Sequence, residues 1–428
     1  MKTPVYIVEG VRTPFCKAGS ELATADAVEL GRTAVAALLA HTGLDPGRIS
    51  EVIFGCVGQP MDAANVARVI ALRAGVPEGV PALTVHRNCA SGFEAVTQAA
   101  DKIAAGRGEI YLVGGTESMS HYPLLFSENA ARKFAELARA KTLSQRLAKL
   151  RRFRPQDFQP KASLLMGLTD PVCGLNMGQT AEVLAREWHI SRAAQDEFAL
   201  ASHLRAAAAR NRLAEEICPV YPPGKGAPDA VTVDNGVRDK QTMEALAKLR
   251  PVFDKLGGTV TAGNASQITD GAAALLIMSE EALKQSGLTP LGRLVEYAYA
   301  GCDPARMGLG PVFAIARAGE RCKLGLEDAE LIEINEAFAA QVLACLAAAE
   351  STEFAKEHLG RTTALGEIPR ELLNVNGGGI ALGHPVGATG ARLVLTALKE
   401  LRRRGKHRAL VSLCVGGGQG GALWLETA

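Results

Sequence analysis

At 428 residues the chain is longer than one hydrophobic core usually organises, so two domains or one duplicated domain is the expectation. Apolar residues make up 47% and charged residues 21%, close to globular averages, which excludes disordered and fibrous classes. The formal charge of +2 excludes a nucleic-acid footprint spread over the whole surface and leaves only local basic patches to explain.

The short stretch Met1 to Gly10 runs into a strand-like VYIVEG without a long apolar h-region, which predicts no signal peptide. With no apolar run long enough to span a bilayer, a cytoplasmic location is expected. Val5 to Glu9, Glu51 to Gly55 and Ile110 to Val113 read as buried strands. Between them lie alanine-rich helical stretches, Leu30 to His41 and Gly92 to Ala105. This alternation predicts an α/β domain with a largely parallel sheet.

Residues from about 122 to 249 break the alternation and read as an inserted loop subdomain. An apolar strand, Ala272 to Met278, then finishes the first half, so residues 1–121 are completed by about 250–285. The rhythm returns over 286–428. It has strands near Gly292 to Ala298, Leu331 to Ile334 and Ala409 to Val415, and helices near Pro311 to Ala318 and Gly387 to Leu401. Corresponding places hold VYIVEGVRTP and RLVEYAYAGCDP, and YLVGGTES and LVSLCVGGG, which points to a duplication.

Nine scattered cysteines with no CxxC pair predict neither a disulfide framework nor a metal site. Cys89 stands out in VHRNCASGFEAV, where an extended stretch meets a helix whose apolar face recurs through Phe93, Val96, Ala100 and Ile103. At a helix N-terminus, free N–H groups and the dipole favour thiolate over thiol. The plainer alternative is a buried structural cysteine at a tight turn. His384, in NGGGIALGHPVGATGAR, precedes a proline in a helix-initiating position, and it is either a helix cap or a general base. Cys414 ends an apolar strand beside VGGGQGG, at the sheet edge where sites gather in open α/β folds. The GxGxxG match from Gly416 to Gly421 is followed by ALWLE, a strand with no helix to receive a pyrophosphate, so dinucleotide binding is rejected. Asn335, in NEAFA, is either a helix N-cap or a polar group that orients water.

Together, NCASGFEAV, GNAS, NEAFA, GHPVGATGAR and CVGGGQG, in that order, resemble the thiolase family over nearly the whole chain, with MGQTAE, SRAAQDEFALASH and LAKLRP adding to the likeness. The resemblance implies a duplicated fold of two βαβαβαββ halves in five αβαβα layers, with the insertion as a loop subdomain that binds coenzyme A. It implies Cys89 as acyl-accepting nucleophile, His384 as its activating base, Cys414 as a second acid/base and Asn335 as holder of a water. Two oxyanion holes follow, one at His384 with the Asn335 water, the other at the N–H groups of Cys89 and Gly416. Contacts to coenzyme A map to Ser266 for the pantetheine arm and to Arg238, Ala245 and Leu249 near the nucleotide. Met177 and Phe338 map to the thioester pocket.

The implied activity is thiolytic cleavage of 3-ketoacyl-CoA, or its Claisen reverse, with coenzyme A as co-substrate and no permanently bound cofactor or metal. Acyl-CoA and acetyl-CoA are the products, and a homodimer or homotetramer is expected. The segments KTLSQRLAKLRRF, EFAKEHLGRTTALGEIPRELLNV and LKELRRRGKHRALV resemble the thiolase β-subunit of the fatty-acid oxidation complex. That branch implies β-oxidation and a hydratase/dehydrogenase α-subunit as partner. Asn335 departs from it, because members of the branch often carry His there. LTDPVCGLNMG resembles biosynthetic acetoacetyl-CoA thiolases, the alternative reading, although Asn176 stands where those enzymes place a His. A non-catalytic acyl-CoA-binding scaffold is the alternative of another class, and it would not need Cys89, His384 and Cys414 together. In the insertion, Arg132, Lys133, Arg139, Lys141, Arg146, Lys149, Arg151, Arg152 and Arg154 interleave with Phe134, Leu137, Leu143, Leu147 and Leu150, which predicts one amphipathic basic helix. Such a helix is a solvated face, an anionic-lipid contact or a partner contact.

Overall fold

Every apolar run singled out above becomes a strand. In the computed structural model, which describes residues 3–428, they are β1 (Val5–Arg12), β2 (Glu51–Gly55), β3 (Ala82–Val85), β4 (Ile110–Ser118), β5 (Thr269–Ser279), β6 (Gly292–Gly301), β7 (Leu331–Ile334), β8 (Arg408–Val415) and β9 (Gln419–Glu426). Only β3, a partly exposed edge strand without an apolar run, had no counterpart in that reading. Met1 and Lys2, in the stretch read for a leader, lie outside the described residues.

The strands form one sheet in the order β3-β2-β4-β5-β1-β6-β9-β8-β7. It divides into two halves of the same plan. In the first, β2 runs parallel to β3 and β4, and β4, β5 and β1 follow antiparallel. In the second, β7 runs parallel to β8, and β8, β9 and β6 follow antiparallel. The place of β3 is taken by a single parallel bridge, Ile332 to Leu373. The halves join where β1 pairs with β6 over Val5 to Ile7.

The expectation of a largely parallel sheet is therefore corrected to a mixed one. The glycine turn from β8 to β9 spans only Gly416 to Gly418, too short for anything but an antiparallel pair. Gly417 and Gly418 take φ of +90° and +77°, conformations that side chains disfavour.

Helices α1 (Ala27–Thr42) and α2 (Val66–Arg73) cover the outer face of the first half. Asp26 caps α1 by accepting from the Glu29 N–H, and Gly43 closes it at φ +62°. Helix α3 (Ser91–Ala104) lies between the two sheet halves. The insertion contributes α4 (Glu128–Ala138), α5 (Leu143–Leu150), α6 (Met177–Glu187), α7 (Arg192–Ala208) and the short α8 (Met243–Ala247). Helices α9 (Gly310–Cys322) and α10 (Ala339–Glu350) cover the outer face of the second half, and α11 (Thr389–Arg404) joins α3 in the middle. Five layers result, α1/α2, sheet, α3/α11, sheet, α9/α10. The middle layer is dry. Phe93, Val96, Leu393, Val394 and Leu398 are all fully buried there, each contributing roughly 1.5–3 kcal/mol of burial free energy.

Two further expectations are corrected. The basic stretch is two helices, α4 and α5, because Thr142 restarts the chain by accepting from the Gln145 N–H as an N-cap. Phe134 packs its ring against Phe126, Phe153 and Phe158, which folds the pair into a hairpin. Helix α11 begins at Thr389 rather than Gly387; Pro385 precedes it in a turn, with the Thr389 N–H donating to the Pro385 carbonyl.

Candidate active site

The two central helices cross at their first turns, and only glycine lets them do so. A Cβ on Gly92 of α3 would lie 2.5 Å from the Ala391 nitrogen, and one on Gly390 of α11 would lie 2.3 Å from the Phe93 nitrogen. The loop before α3 carries Cys89 and the loop before α11 carries His384, so backbone contact at the crossing brings both loops to one place. A second close approach holds them. A Cβ on Gly115, near the end of β4, would sit 1.9 Å from the Gly387 carbonyl oxygen.

His384 is 6% exposed and neither capping α11 nor solvated. Its Nδ1 lies 2.6 Å from Thr389 Oγ1, whose own hydrogen is donated to the Pro385 carbonyl. Nδ1–H must then be the donor, which leaves the lone pair on Nε2, an atom with no hydrogen-bond partner in the protein. Burial and the buried Arg392 push His384 down to about 3, so the ring is neutral at neutral pH and able to accept a proton.

Cys89 precedes the α3 N-terminus as expected, but the electrostatics differ from the expectation of a ready thiolate. Burial raises its pKa above the ordinary value, opposed by the N–H groups of Gly416 and of Cys89 itself. Glu117 nearby adds to the rise. At neutral pH Cys89 is therefore a neutral thiol and His384 a neutral imidazole.

Cys414 is the last residue but one of β8, two before Gly416, and is 1% exposed. It packs with Met177, Phe338 and Ala337, and its thiol is raised by burial and next by the proximity of Cys89. Asn335, just after β7, is 1% exposed, and neither atom of its amide has a partner in the protein. It is not an N-cap, since α10 begins at Ala339 behind Phe338. Instead it borders the turn leading to His384, with its Oδ1 3.0 Å from the Cβ position of Gly379.

A cavity of about 310 Å³ opens on this group, at the low end for a small-molecule pocket. Of the residues singled out in the sequence, Cys89, Met177 and Gly416 line it, while Cys414, His384 and Asn335 are buried and do not line it. Phe338 pairs with Ala265 across an isolated bridge, and the Ser266 N–H donates to the Ala337 carbonyl, so the GNAS loop adjoins the NEAFA loop. Leu249 continues this surface, since a Cβ on Gly263 would touch its side chain at 2.5 Å. Arg238 and Ala245 are exposed on the α7/α8 side, outside the cavity, where the Arg238 N–H donates to His203.

Several contributors escaped the sequence reading. Asn88, at φ +42°, donates from Nδ2 to the Gly416 carbonyl at 2.7 Å and so orients that peptide; an Asn directly before a cysteine is the signal, because Asn tolerates left-handed backbone. Thr389 sets the His384 tautomer. Leu164, Leu168 and Val172 from the insertion wall the cavity, and no local pattern marks them.

The family description "Thiolase, N-terminal domain" matches residues 5–281, and "Thiolase, C-terminal domain" matches residues 288–427. A "3-ketoacyl-CoA thiolase" of Yersinia enterocolitica is 43% identical over 425 residues, covering 99% of this chain and 96% of its own. Among solved structures, the acetyl-CoA acetyltransferase of Bacillus anthracis superposes with a TM-score of 0.86 at 38% identity, covering 100% of this chain and 99% of its own. The human mitochondrial 3-ketoacyl-CoA thiolase does so with a TM-score of 0.85 at 38% identity and the same coverage.

Proposed function

The chain belongs to the thiolase family, and from that premise we propose that it cleaves 3-ketoacyl-CoA with coenzyme A through an acyl group carried on Cys89. It is an acyltransferase. Coenzyme A is its co-substrate, and no permanent cofactor is used. The observation that carries the reading is the crossing at Gly92 and Gly390, which brings the loop that carries Cys89 to the loop that carries the neutral, buried His384 imidazole.

His384 Nε2 takes the Cys89 proton as the sulfur attacks the 3-keto carbon. The oxyanion that forms is met by N–H donors, each worth of order 100-fold in rate or more. When the C2–C3 bond breaks, Cys414 gives its proton to the acetyl-CoA carbanion and becomes a thiolate. Incoming coenzyme A gives its thiol proton to the Cys414 thiolate and attacks the acyl-Cys89 thioester; the Cys89 sulfur leaves and takes back the proton held by His384, and the shortened acyl-CoA departs. Thioester exchanges for thioester, so the step is nearly balanced and reversible. Asn335 orients a water toward the oxyanion, and Met177 and Phe338 flank the thioester. Ser266, Leu249, Ala245 and Arg238 form the path for the coenzyme A arm and nucleotide, where Arg238 pairs with a phosphate.

The physiological role is degradative, in fatty-acid β-oxidation in the cytoplasm, by a homodimer or homotetramer whose halves are residues 1–121 (completed by 250–285) and 286–428. No helix among the described residues is long and apolar enough to cross a membrane. The insertion, residues 122–249, docks a hydratase/dehydrogenase α-subunit or an anionic lipid surface. Ten Lys and Arg face four Asp and Glu between residues 122 and 170, and Leu143, Leu147 and Leu150 are exposed on one side of α5. A thiolysis assay with 3-ketoacyl-CoA from C4 to C16 tests the reading. Turnover at C8 and above is expected; activity at C4 alone would replace it with a biosynthetic acetoacetyl-CoA thiolase, and no turnover at any length would leave the scaffold reading.

A further inference from the structure

We propose that Tyr122, locked in place by Glu117, sets the length of acyl chain that the Cys89 cavity accepts, an inference that rests on the acyl-Cys89 reading. Tyr122 opens the insertion, four residues past the end of β4, and lines the cavity together with Cys89, Val57, Met119, Leu164 and Val386. Its neighbours there are flexible aliphatic side chains or small ones, which yield to a ligand. Tyr122 does not yield, for two reasons.

The first is the ring. A Cβ on Gly58 would lie 1.9 Å from the Tyr122 ring, so the ring is pressed against bare backbone and no larger residue at 58 leaves room for it. The second is the hydroxyl, which donates to Glu117 Oε1 at 3.0 Å. Glu117 is fully buried and serves three segments at once, accepting also from the N–H groups of Val57 at 3.1 Å and Gly58 at 2.8 Å, and of Gly387 at 2.9 Å. Moving Tyr122 out of the wall would strip a buried carboxylate of one of four donors, beside the loop that positions His384. With its hydroxyl turned to Glu117, the ring offers the cavity an apolar surface, suited to an alkyl chain. The wall is therefore both rigid and greasy at this residue, and a chain that reaches it must stop or turn.

The test compares kcat/KM for C4, C8, C12 and C16 3-ketoacyl-CoA in the full-length enzyme and in Tyr122→Ala, Tyr122→Leu and Tyr122→Phe, alongside intact-mass acylation of Cys89 by acyl-CoA of the same lengths. The expected result is a rise of about 10-fold or more in the C16 to C4 ratio for Tyr122→Ala, the scale for a few methylenes gained in a pocket. Tyr122→Leu should rise less, and Tyr122→Phe, which keeps the ring but loses the bond to Glu117, should show the smallest rise. If the alanine variant does not fold, the leucine variant carries the same sign. A ratio unchanged in both smaller variants overturns the proposal, as does a rise in KM for coenzyme A that is equal at every length, which would place Tyr122 on the coenzyme arm. A wild-type enzyme that neither cleaves nor is acylated at any length would instead overturn the acyl-Cys89 reading itself.

Discussion

The two halves of the molecule share a strand order and differ in what stands at the strand and helix ends. Cys89 precedes α3 in the first half, and His384 precedes α11 at the matching place in the second. At the tip of β4 the first half carries Glu117, and at the matching tip of β8 the second carries Cys414. After the second strand stand Cys56 and Asn335. The plan is symmetric, yet the chemistry comes from the departures. On the proposed mechanism, one half supplies the nucleophile, and the other supplies the base, the second thiol and the Gly416 N–H. Glu117, at the place matching Cys414, clamps loops, receiving the Gly387 N–H from across the boundary. A duplicated fold can thus divide one reaction between copies, because equivalent positions converge on the crossing while selection of side chains is free.

The sharpest way to break this comparison is to exchange the roles of the thiols. Cys89→Ala is expected to abolish thiolysis and to show no acyl adduct by intact mass, whereas Cys414→Ala should still be acylated from acyl-CoA while condensation fails. An adduct on the first variant, or near-normal turnover by the second, would end the division of labour. His384→Ala comes next, with a loss of about 10²–10⁴-fold in kcat, as for a lost general base. A loss under 10-fold, read by steady-state kinetics, would mean that the second half does not supply the base.

The crossing itself is tested by Gly390→Ala. Its methyl would meet the α3 backbone, and overpacking of this kind costs about 1–3 kcal/mol. Urea melts should show that loss together with slower alkylation of Cys89 as the loops part; unchanged stability would show that the helices can slide. The smallest effect is one of pH. Because Cys89 is raised above its ordinary value, alkylation by iodoacetamide should keep climbing through pH 9, and a plateau near neutrality would reveal a thiolate that burial does not suppress. His384 works in the opposite sense. Between pH 6.5 and about 3 the unfolded chain binds a proton that the folded one does not, so stability falls as pH falls through that window.

What was legible in the sequence was local or repetitive. Apolar runs marked eight of the nine long strands, since burial on both faces demands unbroken apolar stretches, and the helix after Cys89 showed its face at Phe93, Val96, Ala100 and Ile103. The order of five motifs identified the family and nominated Cys89, His384, Cys414 and Asn335. Antiparallel pairing was missed because alternation of element types says nothing about strand direction. The break at Thr142 was missed because its cap lies inside an otherwise continuous helical pattern.

Only the tertiary structure decided the state of the reacting groups. The residues of a site contributed by positions 89, 335, 384 and 414 are set by their sequence context, but the neutral thiol, the neutral imidazole with its lone pair on Nε2, and the Tyr122 wall are not. Those depend on burial and on hydrogen bonds between segments as much as 270 residues apart. A proton's preferred place is a property of the surroundings a group meets after folding, and the order of residues along a chain does not record those surroundings.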